Sequence, residues 1–529
     1  MPELPRRILL TGFMGSGKSS VGRELARLLG YRFVDTDAMI VERTGMEIPR
    51  IWELHGEGRF RELELECCRE LAEAIYVVIA SGGGTVLDPE RRELLARGSH
   101  VVNLTADLEC LLNRIESEGG RPLMFTDDIE ERIEGLLAER EPVYRIADQR
   151  VDTSYLDPLF AARQVAWHFG EPRLVEPGDG KVSAVHVLPG LLRDPVRLDA
   201  LLPAQETVFM LTDENVMELH GDALAEALAI ADREVRWLSL PAGEGSKSLE
   251  HLQIVLTFLA ENRANRDSLL LGLGGGVVTD IAGLAASLYM RGISCVLLPT
   301  SLMGMVDAAI GGKTAINFGS AKNLVGSFHL PLCVACDPQA LATLPERELR
   351  CGLAEVVKYD MLSAAIDEDQ SAAYSAASRG DIAALTRLVE RCSLQKCSVV
   401  SSDFREQGER KLLNFGHTIG HALEALSEGL LTHGEAVGLG MLCACRIAEG
   451  NGMAQADNEA IVRRALEQCR LPVEHELPEP AAILSLVKLD KKNRSGQIEM
   501  VLPVRPGELM HGIPVERDEL IESLEAIRR

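Results

Sequence analysis

The sequence predicts an α/β protein with an N-terminal parallel-sheet domain, a second α/β part and a mostly helical C-terminal part. Its 529 residues exceed the usual size of one domain. Short apolar strands alternate with amphipathic helices over residues 1–170, and strand and glycine-turn units return over residues 182–345. Helical spacing of Ala, Leu and Glu then dominates, so residues 346–529 are predicted to be mainly helical. Prolines and glycines in residues 171–181 predict a linker after the first domain.

Composition and charge limit the possible functions. Hydrophobic residues make up 46% of the chain and charged residues 26%, which is typical of globular proteins. The formal net charge of −25 would repel a nucleic acid backbone. The twelve cysteines form no regular framework, and the longest apolar stretch, Ser268 to Met290, contains several glycines and Asp280, which do not suit a membrane helix. We therefore expect a cytoplasmic protein that acts on small molecules and binds neither nucleic acid nor membrane.

Apolar runs bounded by turn residues predict the strands. Four lie in the first domain and three more follow the linker. They are Arg7 to Thr11, Tyr31 to Asp35, Tyr76 to Ser81, His100 to Leu104, Thr207 to Thr212, Ser268 to Leu273 and Cys295 to Pro299. Helical periodicity follows each strand of the first domain, which favours a parallel sheet there.

The first strand leads into a phosphate-binding motif. Residues 12–19 read GFMGSGKS, match GxxxxGK[ST], and stand between a predicted strand and a helix at Ser20 to Leu29. In such a loop backbone N–H groups surround the phosphates, Lys18 reaches the transferred phosphoryl group and the Ser19 hydroxyl holds Mg²⁺. This motif predicts a P-loop kinase that binds ATP with Mg²⁺. The residues assigned to the nucleotide are Gly12, Gly15, Ser16, Gly17, Lys18, Ser19 and Ser20.

Two carboxylates, Asp35 and Asp37, follow the second strand. An extended backbone would place both on one face. Carboxylates can hold Mg²⁺-bound water or accept a hydrogen bond from a sugar-like hydroxyl, and Asp35 is our candidate for the metal. The alternative is a helix N-cap with a solvated neighbour.

Further motifs surround this loop in the first domain. They are Gly56 to Arg61 with Glu64, Gly82-Gly83-Gly84, Arg121-Pro122-Leu123 and Arg140 to Tyr144. Together with the P-loop and Asp35-Thr36-Asp37 they resemble shikimate kinase over residues 5–168. The resemblance implies that Asp37 accepts the proton of the attacking hydroxyl, that Arg121 lies on a lid over the ATP phosphates and that Arg114 packs on adenine. It implies a shikimate site formed by Asp37, Arg61, Gly82, Gly83, Gly84 and Arg140.

The two arginines suit this substrate, because planar guanidinium groups match a carboxylate in a bidentate fork. Arg61 taken alone could instead form a surface salt bridge to Glu64, three residues on.

The second α/β part contains a glycine cluster. Ser268 to Asp280 reads SLLLGLGGGVVTD, which predicts a buried strand, a glycine turn and a helix start. Backbone at Gly275, Gly276 and Val277 could approach a pyrophosphate closely. The alternative is that strand-to-helix packing alone selects the glycines.

The helical part contains a candidate metal site. His417 and His421 lie four residues apart on one helix face, His433 follows, and Glu355 belongs to a separate segment. One carboxylate and two imidazoles could hold Zn²⁺ with open coordination positions, and the sequence alone would equally allow three histidine ligands.

Cationic residues cluster around these segments in an otherwise acidic chain, which favours an anionic ligand. They are Lys313, Lys322, Lys358, Lys396, Arg410, Lys491 and Lys492. For any one of them, a solvated surface lysine or arginine is the alternative.

The ordered series of motifs from Gly243-Glu244 to His433-Gly434-Glu435 resembles 3-dehydroquinate synthase over residues 182–529. The resemblance implies that Glu355, His417 and His433 hold Zn²⁺ or another divalent cation such as Co²⁺, with His421 and Lys358 catalytic. It implies NAD⁺ contacts at Asp213, Asn215, Glu244, Lys247, Gly275, Gly276, Val277, Asp280, Thr300, Ser301, Lys313, Lys322 and Thr343. It implies substrate contacts at Arg291, Lys313, Asn323, Lys396, Arg410, Asn414, His421, Lys491 and Lys492.

In this family the phosphate of 3-deoxy-D-arabino-heptulosonate 7-phosphate is lost as 3-dehydroquinate forms, and a homodimer through the synthase half is expected, with Arg291 reaching into the partner's site. The alternatives for this half are another sugar-phosphate cyclase or a metal-dependent polyol dehydrogenase. The non-enzymatic alternative for the chain is a regulatory nucleotide-binding protein that has kept the folds. Two positions depart from the family pattern: Ala242 stands where Asp is usual, and Thr279 where Gly is usual. We expect altered NAD⁺ affinity from them at most.

Overall fold

The computed structural model describes residues 5–117, 129–154, 156–166, 173–177, 181–203, 207–319, 321–366, 368–489 and 498–529. The chain forms two compact units. Unit 1 comprises Met1–Pro172 and Asp194–Pro203, and unit 2 comprises Arg173–Arg193 and Ala204–Arg529. Unit 1 is therefore discontinuous in sequence.

Unit 1 is built around a parallel five-stranded sheet of order β2-β3-β1-β4-β5. Its strands are β1 (Arg7–Thr11), β2 (Arg32–Asp35), β3 (Val77–Ala80), β4 (His100–Thr105) and β5 (Gln149–Asp152). Its helices are α1 (Lys18–Leu29), α2 (Thr36–Thr44), α3 (Ile48–Leu71), α4 (Pro89–Ala96), α5 (Leu108–Ser117), α6 (Ile129–Tyr144), α7 (Pro158–Ala166) and α8 (Pro195–Leu201). The predicted strands of this domain agree with the structure to within one residue at each end.

The core of unit 1 consists of strand residues that are apolar on both faces, because helices cover both sides of a parallel sheet. Ile8, Leu9 and Leu10 of β1 are fully buried, as are Val78 and Ile79 of β3. This packing fixes the carboxyl end of β1, where the P-loop begins.

Unit 2 contains a seven-stranded sheet of order β6-β7-β14-β11-β10-β8-β9, parallel except for the β6–β7 pair. Its strands are β6 (Leu174–Val175), β7 (Ser183–Val187), β8 (Thr207–Asp213), β9 (Glu234–Leu240), β10 (Leu269–Gly274), β11 (Ser294–Pro299) and β14 (Cys333–Cys336). Two antiparallel hairpins join β12 (Lys313–Phe318) to β13 (Ala321–Phe328), and β15 (Ile498–Arg505) to β16 (Glu508–Val515). Strand β6 lies inside the segment that the sequence predicts as a linker.

The helices of the α/β part of unit 2 are α9 (Glu214–Val216), α10 (Asp222–Ile230), α11 (Leu249–Glu261) and α12 (Gly276–Leu288). The helical part contains α13 (Glu346–Ser363), α14 (Glu368–Ala377), α15 (Ile382–Ser402), α16 (His417–Leu426), α17 (His433–Gly450), α18 (Asn458–Gln468), α19 (Pro480–Leu489) and α20 (Arg517–Glu525). The predicted fold class is confirmed: an α/β part precedes a mainly helical part, which carries the β15–β16 hairpin as an addition.

All twelve cysteines are free thiols, and all but Cys110 are buried. Over the described ranges, no helix is both long and apolar enough to cross a membrane.

Candidate active sites

The P-loop of unit 1 curls around the start of α1. Gly12, Gly15 and Gly17 have positive φ angles of 142°, 77° and 87°, a region that favours glycine. A Cβ at Gly12 would lie 2.2 Å from the Leu104 carbonyl oxygen, so this position also lacks room for a side chain. The buried Ser16 hydroxyl has no hydrogen-bond partner among the described residues. An unpartnered donor at a helix N-terminus fits a phosphate ligand.

Lys18 crosses the loop that it belongs to. Its Nζ donates to the carbonyl oxygens of Gly12 at 3.0 Å and Phe13 at 2.9 Å. Arg114, from α5, also reaches the loop, donating to the Gly15 carbonyl at 3.2 Å. Arg121 lies outside the described residues. The structure thus places one predicted nucleotide-binding cation in the loop and a second beside it.

The Asp35 carboxylate can serve both as a metal ligand and as a helix N-cap. One oxygen caps α2 by accepting hydrogen bonds from the backbone N–H groups of Asp37 and Ala38. The other accepts a hydrogen bond from the Ser19 hydroxyl at 2.5 Å. The two residues predicted to hold Mg²⁺ are therefore adjacent, and Asp35 is also an N-cap.

The predicted shikimate residues converge at the carboxyl ends of β2 and β3. A Cβ added to Gly82 would lie 2.5 Å from Asp37 Oδ1, and one added to Gly84 would lie 3.4 Å from the Arg61 guanidinium. The Gly83 carbonyl accepts a hydrogen bond from Tyr144 at 2.6 Å. The absence of side chains at this turn leaves space beside both the acid and the arginine.

Two more residues complete this side of unit 1. Arg61 forms the predicted ion pair with buried Glu64 at 2.7 Å, and also pairs with Glu57 at 2.9 Å. Arg140 lies with its guanidinium carbon 5.7 Å from the centre of the Phe13 ring, next to the P-loop. Because Glu64 is 2% exposed, this ion pair orients Arg61 in a fixed direction.

In unit 2 the structure brings together Glu355, His417 and His433. One ligand atom from each lies within 4.8 Å of the other two. The Nε2 atoms of both histidines are 3.5 Å from Glu355 Oε1. His421 is adjacent, with ring centroids 5.2 Å from His417 and 5.8 Å from His433, yet it is not a member of the cluster found among the described residues.

These donors fit a Zn²⁺ or Co²⁺ ion. Glu355 is fully buried, and within the described part of the chain neither of its oxygens accepts a well-aligned hydrogen bond, although the Lys358 ammonium contacts one of them. Lys358 contacts Oε2, whereas Oε1 faces the Nε2 atoms of both histidines, so a metal ion at that oxygen would meet all three donors. One carboxylate and two imidazoles are the donor set of catalytic zinc sites that keep coordination positions open.

Electrostatics determine the charge of each residue in this cluster. Burial alone would raise the pKa of Glu355, but Lys358 and His417 hold it below its usual value. Burial lowers the pKa of His417. Burial would also lower the pKa of His433, but Glu355 and Glu424 outweigh it and raise the pKa to about 9. The Glu355 carboxylate is therefore charged, while His433 holds a proton that a bound metal ion has to displace.

Close helix packing determines the spacing of the three ligands. A Cβ at Gly434, next to His433 at the start of α17, would lie 2.1 Å from the Cys351 carbonyl on α13. A Cβ at Gly440 would lie 2.0 Å from the Gly416 carbonyl at the start of α16. A capping box between Thr432 and Glu435 fixes the first turn of α17. Glycine at these contacts lets the three helices bring their ligands together.

A second buried cluster surrounds Asp307, which the sequence analysis did not assign to the site. Its carboxylate accepts hydrogen bonds from Tyr359 at 2.6 Å and Lys396 at 2.8 Å, and Lys358 lies 3.9 Å away. Burial lowers the pKa of Lys396 to about 8, against the opposing effect of Asp307. Since Lys358 also contacts Glu355, this cluster connects the metal ligands to a predicted substrate-binding lysine.

The remaining predicted substrate residues lie on nearby segments. Arg410 is 2% exposed, donates to the Phe404 carbonyl at 2.6 Å and the Gly311 carbonyl at 3.1 Å, and its Nε has no partner among the described residues. Asn414 donates to Glu406 at 3.0 Å, and Lys313 pairs with the same carboxylate. Three predicted anion-binding residues therefore lie close to acidic or carbonyl oxygens.

The other predicted substrate residues are either exposed or outside the described ranges. Asn323 on β13 and Arg291 have positive φ angles of 51° and 69°. Lys491 and Lys492 lie outside the described residues.

The glycine cluster forms the turn from β10 to α12. The Thr300 N–H donates to the Gly274 carbonyl at 2.9 Å, and a Cβ at Gly275 would lie 3.4 Å from the Ser301 hydroxyl. The glycines therefore serve strand-to-helix packing, and they also leave the backbone accessible to a ligand. Thr279 lies within α12 and its hydroxyl donates to the Gly276 carbonyl at 3.1 Å, so the helical backbone at this departure from the family pattern needs no glycine.

The predicted nucleotide residues around this turn form two groups. Lys247 pairs with Asp280 at 2.5 Å, and Glu244 accepts from Asn317 of β12 at 2.8 Å. Burial raises the pKa of Asp280 to about 6. Asp213 caps α9, with Asn215 exposed in the same helix, and Thr343 lies 2.9 Å from His220. Ala242, which stands where Asp is usual in the family, is exposed.

Comparisons with known proteins support the family resemblance of each unit. A family model described as shikimate kinase matches residues 14–167. Models described as the N-terminal and C-terminal parts of 3-dehydroquinate synthase match residues 237–351 and 352–493.

Curated relatives and a solved structure agree with the second match. The chain is 42% identical over 342 residues to a 3-dehydroquinate synthase of Xanthomonas campestris pv. campestris, covering 62% of this chain and 92% of that protein. It is 41% identical over 337 residues to the synthase of Symbiobacterium thermophilum, with the same coverage of 62% and 92%. The structure of 2-epi-5-epi-valiolone synthase from Streptomyces hygroscopicus subsp. jinggangensis, with NAD⁺ and Zn²⁺ bound, superposes with a TM-score of 0.61 at 30% identity, over 65% of this chain and 96% of that one. The chain therefore belongs to the 3-dehydroquinate synthase family, and with the shikimate kinase domain that precedes this part the protein is a bifunctional enzyme of the shikimate pathway.

Proposed function

We propose that unit 1 transfers the γ-phosphoryl group of ATP to shikimate, with Mg²⁺, and that unit 2 converts 3-deoxy-D-arabino-heptulosonate 7-phosphate to 3-dehydroquinate and phosphate, with NAD⁺ and Zn²⁺ or Co²⁺. The observation that carries the second assignment is the cluster of buried Glu355 with His417 and His433, which Lys358 and Asp307 connect to Lys396. The three ligands provide a site for a metal ion, and Lys396 provides a positive charge nearby for an acidic substrate.

In the kinase unit the chain positions the reactants and stabilises charge, which is the main contribution of proteins to phosphoryl transfer. Lys18 provides a positive charge at the transferred group, and Ser19 with Asp35 would hold Mg²⁺. Arg61 and Arg140 bind the shikimate carboxylate, and Asp37 accepts the proton of the attacking hydroxyl. The open turn at Gly82 next to Asp37 supports this role.

In the synthase unit Glu355, His417 and His433 would hold the metal ion, which supplies a Lewis acid that acidifies a substrate hydroxyl. The turn at Gly275 and Gly276 would bind NAD⁺, the hydride acceptor that is regenerated in each turnover.

The substrate itself is held by the chain's own cations. Lys396, Arg410 and Asn414 orient its carboxylate end, and Lys313 and Asn323 its phosphate. His421 and Lys358 lie beside the cluster and move or hold protons, while the substrate's own phosphate can act as a base. Holding both reacting ends in one site provides the remaining rate enhancement.

Another sugar-phosphate cyclase is the second candidate for unit 2, because the 2-epi-5-epi-valiolone synthase structure shares the fold at 30% identity. Buried Arg410, whose Nε has no hydrogen-bond partner among the described residues, favours a substrate with a carboxylate, since a buried cation needs an anion.

Purified full-length protein distinguishes the two candidates. The assay measures phosphate release in the presence of NAD⁺, with either the keto-acid phosphate or a heptulose phosphate of similar size without a carboxylate as substrate. We expect phosphate release from the acid without net NADH formation. Equal or faster release from the neutral sugar phosphate would contradict the assignment.

A homodimer through the synthase half is also part of this proposal. The loop with Met290 and Arg291 is exposed and has positive φ angles, and the β12–β13 hairpin exposes Phe318, Leu324 and Phe328. Sedimentation of the full chain would show a monomer if this part of the proposal is wrong. A cytoplasmic location and the absence of nucleic acid and membrane partners remain predictions.

A further inference from the structure

Glu424, in the last turn of α16, contacts both the metal cluster and the β12–β13 hairpin. Its side chain is 17% exposed. Oε2 lies 3.0 Å from His433 Nδ1, and Oε1 accepts a hydrogen bond from Lys322 Nζ at 2.6 Å. Nothing in the motif pattern or in the ligand set assigns a role to this carboxylate.

The hydrogen bond to Glu424 determines which nitrogen of His433 is available to a metal ion. An ionised carboxylate can only accept, so Nδ1 must donate its proton. In the form of His433 that ligates a metal ion, the lone pair is then on Nε2, the atom that lies 3.5 Å from Glu355 Oε1. The carboxylate thus fixes both the tautomer and the direction of the ring.

His417 provides an internal comparison. Its Nδ1 lies 3.0 Å from the Phe415 carbonyl, so its Nε2 is also directed at Glu355. The acceptor there is a neutral backbone group, and the side chain is only 13% exposed, against 31% for His433. Packing and backbone therefore hold His417, whereas the more exposed His433 depends on a charged side chain.

We propose that Glu424 is a positioning residue of the metal centre, which holds His433 in the ligating tautomer and orientation and raises the basicity of its Nε2. This inference rests on the proposed function, because it requires a divalent cation at Glu355, His417 and His433. Partners of this kind typically contribute 10- to 100-fold to metal affinity.

The ion pair with Lys322 is the weaker of the two contacts. Lys322 is 57% exposed, so water and salt screen its charge. The pair connects β13 to α16, but the ring orientation does not depend on it. Removing the lysine should therefore leave the metal affinity nearly unchanged, whereas removing the carboxylate should not.

The test measures metal affinity in the full chain, without substrate or NAD⁺. Wild type, Glu424→Ala, Glu424→Gln and Lys322→Met are titrated with Zn²⁺ against a chelator of known affinity. Glu428→Gln is the matched control, because Glu428 is an exposed glutamate four residues on. We expect about 10- to 100-fold weaker binding for Glu424→Ala and a smaller loss for Glu424→Gln, whose amide oxygen still accepts from Nδ1. Lys322→Met and Glu428→Gln should stay within about twofold of wild type.

Folding and geometry have separate measurements. The far-ultraviolet circular dichroism spectrum and thermal unfolding show whether each variant is folded, and the shikimate kinase activity shows that unit 1 is intact. The visible spectrum of the Co²⁺ form reports ligand geometry, and Glu424→Ala should change it while Glu428→Gln should not.

Two results would overturn the inference: wild-type metal affinity in a folded Glu424→Ala variant, or an equal loss in Lys322→Met. Absence of metal binding in the wild type would refute the proposed function instead, so the two failures are distinguishable.

Discussion

Replacing Gly440 by alanine tests whether helix contact determines the geometry of the metal site. The added Cβ would lie 2.0 Å from the Gly416 carbonyl oxygen, whereas Cβ contacts shorter than 3.0 Å are essentially never seen. The two helices must therefore separate by about 1 Å, since the obstructing atom is backbone. Metal–ligand distances tolerate about ±0.2 Å, so a 1 Å shift between the helices carrying His417 and His433 is about five times too large.

We expect two effects of Gly440→Ala. Overpacking should destabilise unit 2 by about 1–3 kcal/mol and lower its melting temperature. Zn²⁺ affinity should fall at least tenfold, which corresponds to about 1.4 kcal/mol. Synthase activity should fall with it.

The same helix supplies the control. A Cβ at Gly450, the last residue of α17, would meet nothing within 4 Å. Gly450→Ala should therefore leave Zn²⁺ affinity unchanged and could stabilise the helix by up to about 1 kcal/mol. Chelator competition, thermal unfolding and the kinase activity of the same chain are the measurements. Wild-type metal affinity and melting temperature in Gly440→Ala, or equal damage in Gly450→Ala, would refute the reasoning.

Three further predictions concern single side chains. Lys18→Met should abolish shikimate phosphorylation, because it removes positive charge at the γ-phosphoryl group, and should leave the synthase near normal; a folded variant that loses both activities would contradict this. His417→Ala should lose bound Zn²⁺, whereas His421→Ala should keep it and release phosphate more slowly, and metal analysis of the two variants decides between them. Because the pKa of Lys396 is lowered to about 8, its charge disappears as the pH rises through that value, so the KM for the keto-acid phosphate should rise above pH 8. Lys396→Arg should not show that rise, and a KM independent of pH in the wild type would count against a charged Lys396 in substrate binding.

Local motifs were predictable from the sequence because each is read over a few adjacent residues. The P-loop stands between β1 and α1 as the strand and helix patterns indicate, and Lys18 lies in it. The Asp35 carboxylate was harder to interpret, because an N-cap and a metal ligand require the same residue type at the same position. The structure shows that the carboxylate caps α2 and also contacts Ser19.

The metal cluster was only partly predictable. Helical spacing places His417 and His421 on one face, and that spacing alone gives no reason to prefer Glu355 over His421 as a ligand. The preference came from the family resemblance, and the structure groups Glu355 with His417 and His433. The role of Asp307 could not be found from spacing, because it contacts Lys396 across 89 residues of sequence. Glu424 was missed for another reason: it contacts His433 from the neighbouring helix, and the positions of the two residues on α16 and α17 do not show that these helix ends meet.

The discontinuity of unit 1 affects how the gene can be divided. Helix α8, which follows β7 in the chain, belongs to unit 1, where the Arg197 guanidinium lies over the Tyr76 ring at 3.9 Å from its centre. Tyr76 in turn packs against Tyr31 in an edge-to-face pair. A kinase fragment that ends near residue 175 would therefore lack the cation that covers this aromatic pair, and the complementary fragment would begin without the unit against which α8 packs. Protease cleavage near residue 175 would thus separate α8 from the rest of unit 1, and the kinase product would lack one of the helices of its compact unit.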